Sequence, residues 1–300
     1  MDVLTDVLAA TRTGQAGSAR YACRVPWAVE FCDARRAGFH ILLDGTATAW
    51  VPGDEQPPLR LRPGDILLAP SGRAHAVGDS PGRPPTVPNK DELSGATEPA
   101  DAVMLCGWFD HAPGGPHPLL AKLPPLLLVS ADRGRPDGLA PAVDLLAAEV
   151  RSARPGSDAV IGRLVEVLLV LAIRAWTDGR SNSATCPSLL TGLRDPVVAN
   201  ALQVLHDEPA RAWTVEGLAR RLSLSRATLA RRFSAQLGEG PLAYLTRWRM
   251  TLAAQLLRET DTPVDAVARQ VGYASPFAFS RAFSRIHNEA PTQFRRRVRR

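Results

Sequence analysis

The feature that most constrains how this chain folds is a pattern of apolar residues that occurs twice near its carboxyl end. In the second copy, Ala268, Val271, Phe279 and Phe283 recur at helical spacing on either side of a Gly-Tyr corner. Two short helices with this spacing bury one small apolar core between them, and Ser275 is suited to cap the second helix. The pattern predicts a helix-turn-helix.

The first copy lies about fifty residues upstream, and its turn is one residue shorter. Between the copies, the sequence from Pro241 to Leu257 keeps apolar residues at helical spacing and predicts one long helix. We therefore predict an all-helical domain over 195–300, with helix-turn-helix units at about 214–237 and 263–286 joined by a helix at about 241–257. The residues of the first copy are Leu218, Ala219, Leu222, Ser225, Leu229 and Phe233.

The second helix of each unit carries outward-facing residues suited to the base edges and phosphates of a DNA major groove. Arg231 and Arg281 fall at equivalent positions, and we expect each to contact a guanine through both arms of its guanidinium. We expect Arg226, Arg232 and Arg285 to contact phosphates, although each arginine taken singly also fits a solvated helix face. The predicted DNA-binding residues are Ser225, Arg226, Ala227, Thr228, Ala230, Arg231, Arg232, Ser275, Pro276, Phe277, Ser280, Arg281 and Arg285.

The charge of the chain is concentrated in the same region. The whole chain carries a net charge of +6, whereas residues 195–300 alone hold 17 Arg against 9 Asp and Glu. This segregation fits phosphate contacts by the carboxyl-terminal domain and a different task for the rest. No apolar run is long enough to cross a membrane, and the amino terminus lacks a secretion signal, so we expect a cytoplasmic location.

Residues 195–297 resemble the DNA-binding domain of the AraC/XylS family of bacterial transcription regulators. The resemblance is carried by the run Gly-Tyr-x-Ser-x-x-x-Phe-Ser-Arg-x-Phe from Gly272 and by the ending Ala-Pro-x-x-Phe-Arg from Ala290. One departure is Glu289, near which family members usually carry glycine. The resemblance implies a regulator that is not an enzyme and that binds promoter DNA. It also implies an activator by family habit, with RNA polymerase as a further partner.

The amino-terminal part of the chain predicts a small antiparallel β-barrel, because short apolar segments alternate with Gly, Pro and Asp turns. The segment from Pro63 to His75 resembles the second sequence motif of cupins, so the barrel resembles the sensor domain found in one branch of the same regulator family. His40 and His75 are candidate ligands for a divalent metal, but two ligands are fewer than a firm site needs. The alternative is that both histidines are structural or line a ligand pocket.

Four cysteines are present, at positions 23, 32, 106 and 186, without the spacing of a zinc finger or a Cys-x-x-Cys motif. Their simplest interpretation is as small apolar core residues. Cys23 and Cys106 nevertheless resemble in position the oxidant-responsive cysteines of some cupin-bearing regulators. Arg20 or Arg24 would favour such a switch by lowering the pKa of a nearby thiol.

The whole chain is thus expected to be a multidomain α+β protein. We predict a sensor barrel over 1–135 with a long mobile loop at 79–100, a helical pair over 136–176, a linker at 177–194 and the helical domain. The second helix of the pair is apolar over more of its surface than one barrel face requires. Either the two helices bury each other against the barrel, or the second also contributes to a homodimer interface, and the family resemblance favours the combination.

Two other functions remain open from the residues. One is a cupin metalloenzyme fused to a DNA-binding domain, although no set of convergent acids, bases or nucleophiles surrounds His40 and His75. The other is a DNA-repair methyl acceptor, for which Cys23 and Cys32 supply only half of a metal-ligated cysteine cluster. The expected function is a one-component regulator that senses an oxidant or a small ligand in its barrel.

Overall fold

The computed structural model describes residues 2–11, 17–32, 36–84, 100–110, 123–130, 137–152, 154–178 and 187–299. Contacts divide the chain into two compact units. One unit holds the β-strands and a pair of helices, and the other holds the amino-terminal helix together with the carboxyl-terminal helices. The predicted α+β fold class is confirmed. None of the helices in the described ranges is long and apolar enough to span a membrane.

The strands of the unit that holds them, called the barrel unit below, form two antiparallel sheets. In the larger sheet the order is β1-β8-β3-β6-β9, and in the smaller it is β2-β7-β4-β5. Residues from both sheets, including Leu42, Met104 and Val77, point into one buried cluster. The strands are β1 (Gly17–Cys23), β2 (Ala28–Phe31), β3 (Arg36–Gly45), β4 (Ala47–Trp50), β5 (Leu59–Leu61), β6 (Asp65–Ala69), β7 (His75–Gly78), β8 (Ala102–Asp110) and β9 (Leu127–Ser130).

Two helices complete this unit, α2 (Leu139–Ser152) and α3 (Ser157–Asp178), and they pack against each other. Between them, the Ser157 hydroxyl donates to Glu149 at 2.6 Å. Most of the predicted mobile loop, residues 85–99, lies outside the described residues. The part before it is described, and there the Arg83 guanidinium donates to Asp79 at 2.5 Å.

The other compact unit, called the helical unit below, contains helices and no strand among its described residues. Its helices are α1 (Val3–Thr11), α4 (Leu189–Arg194), α5 (Pro196–Asp207), α6 (Val215–Arg221), α7 (Arg226–Leu237), α8 (Pro241–Glu259), α9 (Val264–Gln270), α10 (Pro276–His287) and α11 (Pro291–Val298). They form two buried clusters, one around α5 to α7 and the first half of α8, the other around the second half of α8 and α9 to α11.

Helix α4 lies inside the predicted linker, of which residues 179–186 are outside the described ranges. Ser188 begins this helix with a capping box, and the Thr191 hydroxyl donates to the Gln236 carbonyl of α7 at 2.7 Å. Gly192 packs so closely on Leu237 that an added Cβ would lie 2.8 Å from a side-chain carbon. These contacts join α4 to α7, so α4 belongs to the helical unit.

Candidate nucleic-acid interface

The two helix-turn-helix units have the same backbone up to the turn. Ser223 and Gly272 adopt positive φ angles of 57° and 85° at equivalent positions, where a residue without a Cβ is favoured. The following N–H groups, of Leu224 and Tyr273, donate to the Ala219 and Ala268 carbonyls at 2.9 and 2.8 Å. The extra residue of the second unit is therefore Ala274, which precedes the cap.

Serine caps both recognition helices. The Ser225 hydroxyl accepts the Thr228 N–H at 3.1 Å, and the Ser275 hydroxyl accepts the Ala278 N–H at 3.4 Å. Each cap satisfies one of the donors that a helix leaves free at its amino end. Leu229, Phe233, Phe279 and Phe283 are fully buried, so the opposite face of each helix is left to solvent.

In the first helix-turn-helix unit, the three predicted arginines have different surroundings. Arg231 is exposed, and within the described part of the chain no hydrogen bond or ion pair involves its guanidinium. Arg226 is exposed and pairs with Glu216 of α6 at 2.8 Å. Arg232 instead donates to Asp195 at 3.1 Å, and that carboxylate caps α5. Arg232 therefore holds α5 against α7, and its contact with a phosphate stays a prediction.

Ala227, Thr228 and Ala230 lie outside the buried face of α7 and are exposed or half-buried. Small side chains beside an exposed arginine let the helix approach base edges closely. These side chains of the first helix-turn-helix unit are thus at least partly accessible to solvent, and their contact with DNA stays a prediction.

In the second helix-turn-helix unit, Phe277 is 71% exposed at the start of α10. Arg281 lies one turn later, with its guanidinium carbon 5.7 Å from the centre of the Phe277 ring, within range of a cation–π contact. The ring thereby orients an arginine that we expect to contact a base. Arg285 is exposed one turn further on, and Pro276 and Ser280 lie half-buried on the same helix.

Inside the barrel, a chain of hydrogen bonds joins a cysteine to two histidines. The Cys106 sulfur lies 2.9 Å from His40 Nδ1, His40 Nε2 lies 2.7 Å from His75 Nε2, and His75 Nδ1 lies 2.8 Å from the Arg73 carbonyl oxygen. Strand β3 supplies His40 and β7 supplies His75, so the two sheets meet at this pair.

The direction of each of these bonds follows from the carbonyl, which can only accept. His75 Nδ1 therefore carries a proton, its Nε2 accepts from His40 Nε2–H, and His40 Nδ1 accepts from the Cys106 thiol. Burial lowers the pKa of both histidines and raises that of Cys106 above its usual range. All three groups are accordingly neutral.

This arrangement fits a metal poorly. Two imidazole nitrogens bound tetrahedrally to one ion at about 2.0–2.1 Å lie roughly 3.3 Å apart, whereas the His40 and His75 nitrogens are 2.7 Å apart. Cys106 contacts the other nitrogen of His40, and no group of three potential ligands occurs among the described residues. The predicted metal site stays untested, and the described geometry favours a hydrogen-bonded pair.

The expectation that an arginine lowers the pKa of Cys23 is wrong, because burial raises that pKa to about 11. On the β1–β8 ladder Cys23 faces Ala102 and Cys106 faces Ala19. The two cysteines are thus offset by four residues, about 13 Å along the strands, whereas a disulfide joins Cα atoms about 4.4–6.8 Å apart. A direct disulfide would require the ladder to rearrange.

A second buried polar group, which the sequence did not reveal, lies in the helical unit. His206 of α5 bridges Asp6 of α1 and Tyr244 of α8, with distances of 3.0 Å from Nδ1 and 2.6 Å from Nε2. Its ring stacks on Trp248 at 4.1 Å. The only sequence signal was a histidine on the apolar face of a helix, which does not identify its partners.

Comparison with known proteins covers both units. A family model described as Cupin matches residues 2–178, and one described as Helix-turn-helix domain matches residues 218–297. A putative AraC-like transcription regulator of Streptomyces lividans is 34% identical over 302 residues, which covers 99% of this chain and 98% of that protein.

Two further relatives carry more specific names. The HTH-type transcriptional regulator AlkR of Acinetobacter baylyi is 32% identical over 247 residues, covering 77% of this chain and 79% of that protein. The RCS-specific HTH-type transcriptional activator RclR of Escherichia coli is 31% identical over 263 residues, covering 87% of this chain and 84% of that protein.

Proposed function

The chain belongs to the AraC-like transcription regulators, and we propose that it is a one-component regulator that reads two successive major-groove segments of promoter DNA. The observation that carries this proposal is the pair of exposed arginines, Arg231 and Arg281, at equivalent positions of two serine-capped recognition helices. The basic charge of the same unit supports it. Such a regulator acts in the cytoplasm and is not an enzyme.

Footprinting of the full-length protein on the DNA upstream of its own gene tests this proposal. We expect two protected segments about 34 Å apart, one helical turn of DNA, for each copy of the protein. Binding must exceed that to a scrambled duplex at one stated salt concentration, because phosphate contacts alone bind any sequence. Equal affinity for both duplexes would contradict the proposal.

For the signal, we propose that the barrel responds to an oxidant at Cys23 and Cys106, or else to a small ligand. The Cys106 S–H donates to His40. Hypochlorous acid converts a thiol to a sulfenic acid and releases hydrogen chloride, so a longer S–O–H group would replace the S–H and its hydroxyl would no longer lie at the position of that donor. The chain of bonds through His40 and His75 would then have to rearrange. The Escherichia coli relative is named a transcriptional activator, which supports a role of this chain in activation. As an activator, the chain would have RNA polymerase as a further partner.

The oxidant hypothesis is tested by DNA binding in dithiothreitol and after stoichiometric hypochlorite. A change that dithiothreitol reverses, and that Cys106→Ser or Cys23→Ser abolishes, would support it. Binding that is indifferent to hypochlorite would instead direct the search to small ligands of the barrel.

We further propose a homodimer formed through the helical pair. Leu145 of α2 and Val160 and Val167 of α3 are 53%, 42% and 48% exposed. Val160 and Val167 are seven residues apart, so they lie on one face of α3, and the half-buried Leu164 and Leu171 extend that face. A second copy of the chain would cover these side chains.

A further inference from the structure

Helix α8 belongs to both helix-turn-helix units. Tyr244, Leu245 and Trp248 in its first half are part of the first buried cluster. Met250 and Leu257 in its second half are part of the second cluster. The two helix-turn-helix units therefore share a single helix, and Arg249 lies at the boundary between their cores.

Arg249 reaches from this boundary to the loop that leads into the first unit. Its Nε–H donates to the Pro209 carbonyl at 2.7 Å, and its Nη2 donates to the Arg211 carbonyl at 2.8 Å. Its guanidinium carbon also lies 5.8 Å from the centre of the Tyr273 ring, in the turn of the second unit. One side chain thus contacts the entry loop of one unit and the turn of the other.

The backbone of the second turn meets the same loop directly. A Cβ added to Gly272 would lie 2.5 Å from the Ala210 carbonyl oxygen and 2.7 Å from the Ala210 Cα. Gly272 also has a φ of +85°, which side chains other than glycine seldom adopt. The loop carbonyls on either side of Ala210 are the two that Arg249 binds, so the loop is held from two directions.

The loop itself has little freedom. The Arg211 N–H and the Trp213 indole N–H both donate to the Glu208 carbonyl, at 3.2 and 3.0 Å. Thr214 then caps α6, the first helix of the first unit. A displacement of this loop would therefore move the first unit as a whole.

We propose that Arg249, together with Gly272 and Tyr273, is a positioning lock that fixes the separation and angle of the two recognition helices, and so determines which spacing of DNA segments the protein accepts. This inference rests on the proposed DNA-binding function. Arg249 acts through the loop and contacts no base. Arginine is required because its planar fork donates to two carbonyls at once, which the single ammonium of lysine does not do in this geometry.

The test is binding to a series of duplexes in which base pairs are inserted or deleted between the two footprinted segments. Each inserted pair moves the second segment by about 3.4 Å and turns it by about 35°. For the unaltered full-length protein, we expect one inserted or deleted pair to weaken binding at least about tenfold. Arg249→Ala and Arg249→Lys should both reduce this penalty to about threefold or less, with weaker binding to the natural spacing.

Arg247→Ala is the matched control. Arg247 lies on the same helix but pairs with Glu239, within the first unit, so its loss should leave the spacing penalty unchanged. Arg249→Lys separates the lock from a phosphate contact, because lysine preserves the charge and hence the salt dependence of binding. Circular dichroism and melting curves establish that each variant is folded.

A flattened spacing profile in both Arg249 variants, but not in Arg247→Ala, would support the inference. The inference would be overturned if all variants kept the spacing penalty of the unaltered protein, or if Arg249→Lys alone kept the full penalty. Absence of sequence-specific binding by the unaltered protein would overturn the proposed function, and this inference with it.

Discussion

Asp6 and His206 are 200 residues apart in the sequence, yet a hydrogen bond of 3.0 Å joins Asp6 Oδ2 to His206 Nδ1. The amino-terminal helix that carries Asp6 also buries Val3 and Val7 in the core of the first helix-turn-helix unit. Helix α1 is therefore a structural part of the helical unit, although the strand that follows it in sequence belongs to the barrel.

We expect Asp6→Ala to destabilise the helical unit by about 1–3 kcal/mol, because it leaves a buried imidazole N–H without an acceptor. Hydrogen–deuterium exchange of α5 and α8 measures this locally. Asp207→Ala removes a neighbouring exposed carboxylate and should cost less than about 0.5 kcal/mol. Equal acceleration of exchange in both variants would show that the buried bond contributes nothing specific.

The second prediction concerns proton positions in the barrel. Long-range nitrogen–proton NMR should find His75 protonated on Nδ1 and His40 protonated on Nε2, both neutral at pH 7.5. Burial lowers the pKa of both below 6.5, so the folded state binds fewer protons than the unfolded state at mildly acidic pH. The free energy of unfolding should therefore fall as the pH drops from 6.5 towards the lowered pKa values, and His75→Asn should reduce this slope.

A doubly protonated His40 or His75 at pH 7.5, or a slope that His75→Asn leaves unchanged, would contradict the assigned chain of donors and acceptors.

The sequence predicts features that depend on neighbouring residues better than features that depend on contacts between distant parts of the chain. The helix-turn-helix units were predicted well because their apolar spacing, caps and Gly-Tyr corner are local signals. Strand β1 has a weak local signal, since Gly17 to Cys23 is rich in small residues and depends on pairing with β8. The ion pair of Arg232 with Asp195 was missed, because periodicity identifies the face of a helix and not its partner.

The third prediction is the order of thiol alkylation. Cys32 is exposed, whereas Cys23 and Cys106 are buried with raised pKa values. Iodoacetamide at pH 7.5 should therefore modify Cys32 well before either of the other two, because the thiolate is the reacting species. Peptide mass mapping over time measures this. Modification of Cys106 as fast as Cys32 would show that the barrel opens readily.

The fourth prediction concerns oligomeric state. Val167→Lys on the exposed face of α3 should convert a dimer to a monomer in light scattering, since it places a charge in an apolar interface. Val25→Lys is a suitable control, because Val25 is 59% exposed but lies outside the helical pair. A dimer that persists in Val167→Lys would exclude this face as the interface.

The last prediction separates base contacts from phosphate contacts on α10. Arg281 is oriented by the Phe277 ring, so Arg281→Ala should relax the preference at one base pair, at a cost of about 1–3 kcal/mol for the preferred sequence. Arg285→Ala should weaken binding to all sequences alike and reduce the salt dependence by about one phosphate contact. Binding to duplexes substituted at each position, at two salt concentrations, distinguishes the two patterns. An equal loss of affinity for every sequence in both variants would refute the assignment of Arg281 to a base and of Arg285 to a phosphate. A guanidinium that discriminates bases cannot be removed without changing the relative affinities for different sequences.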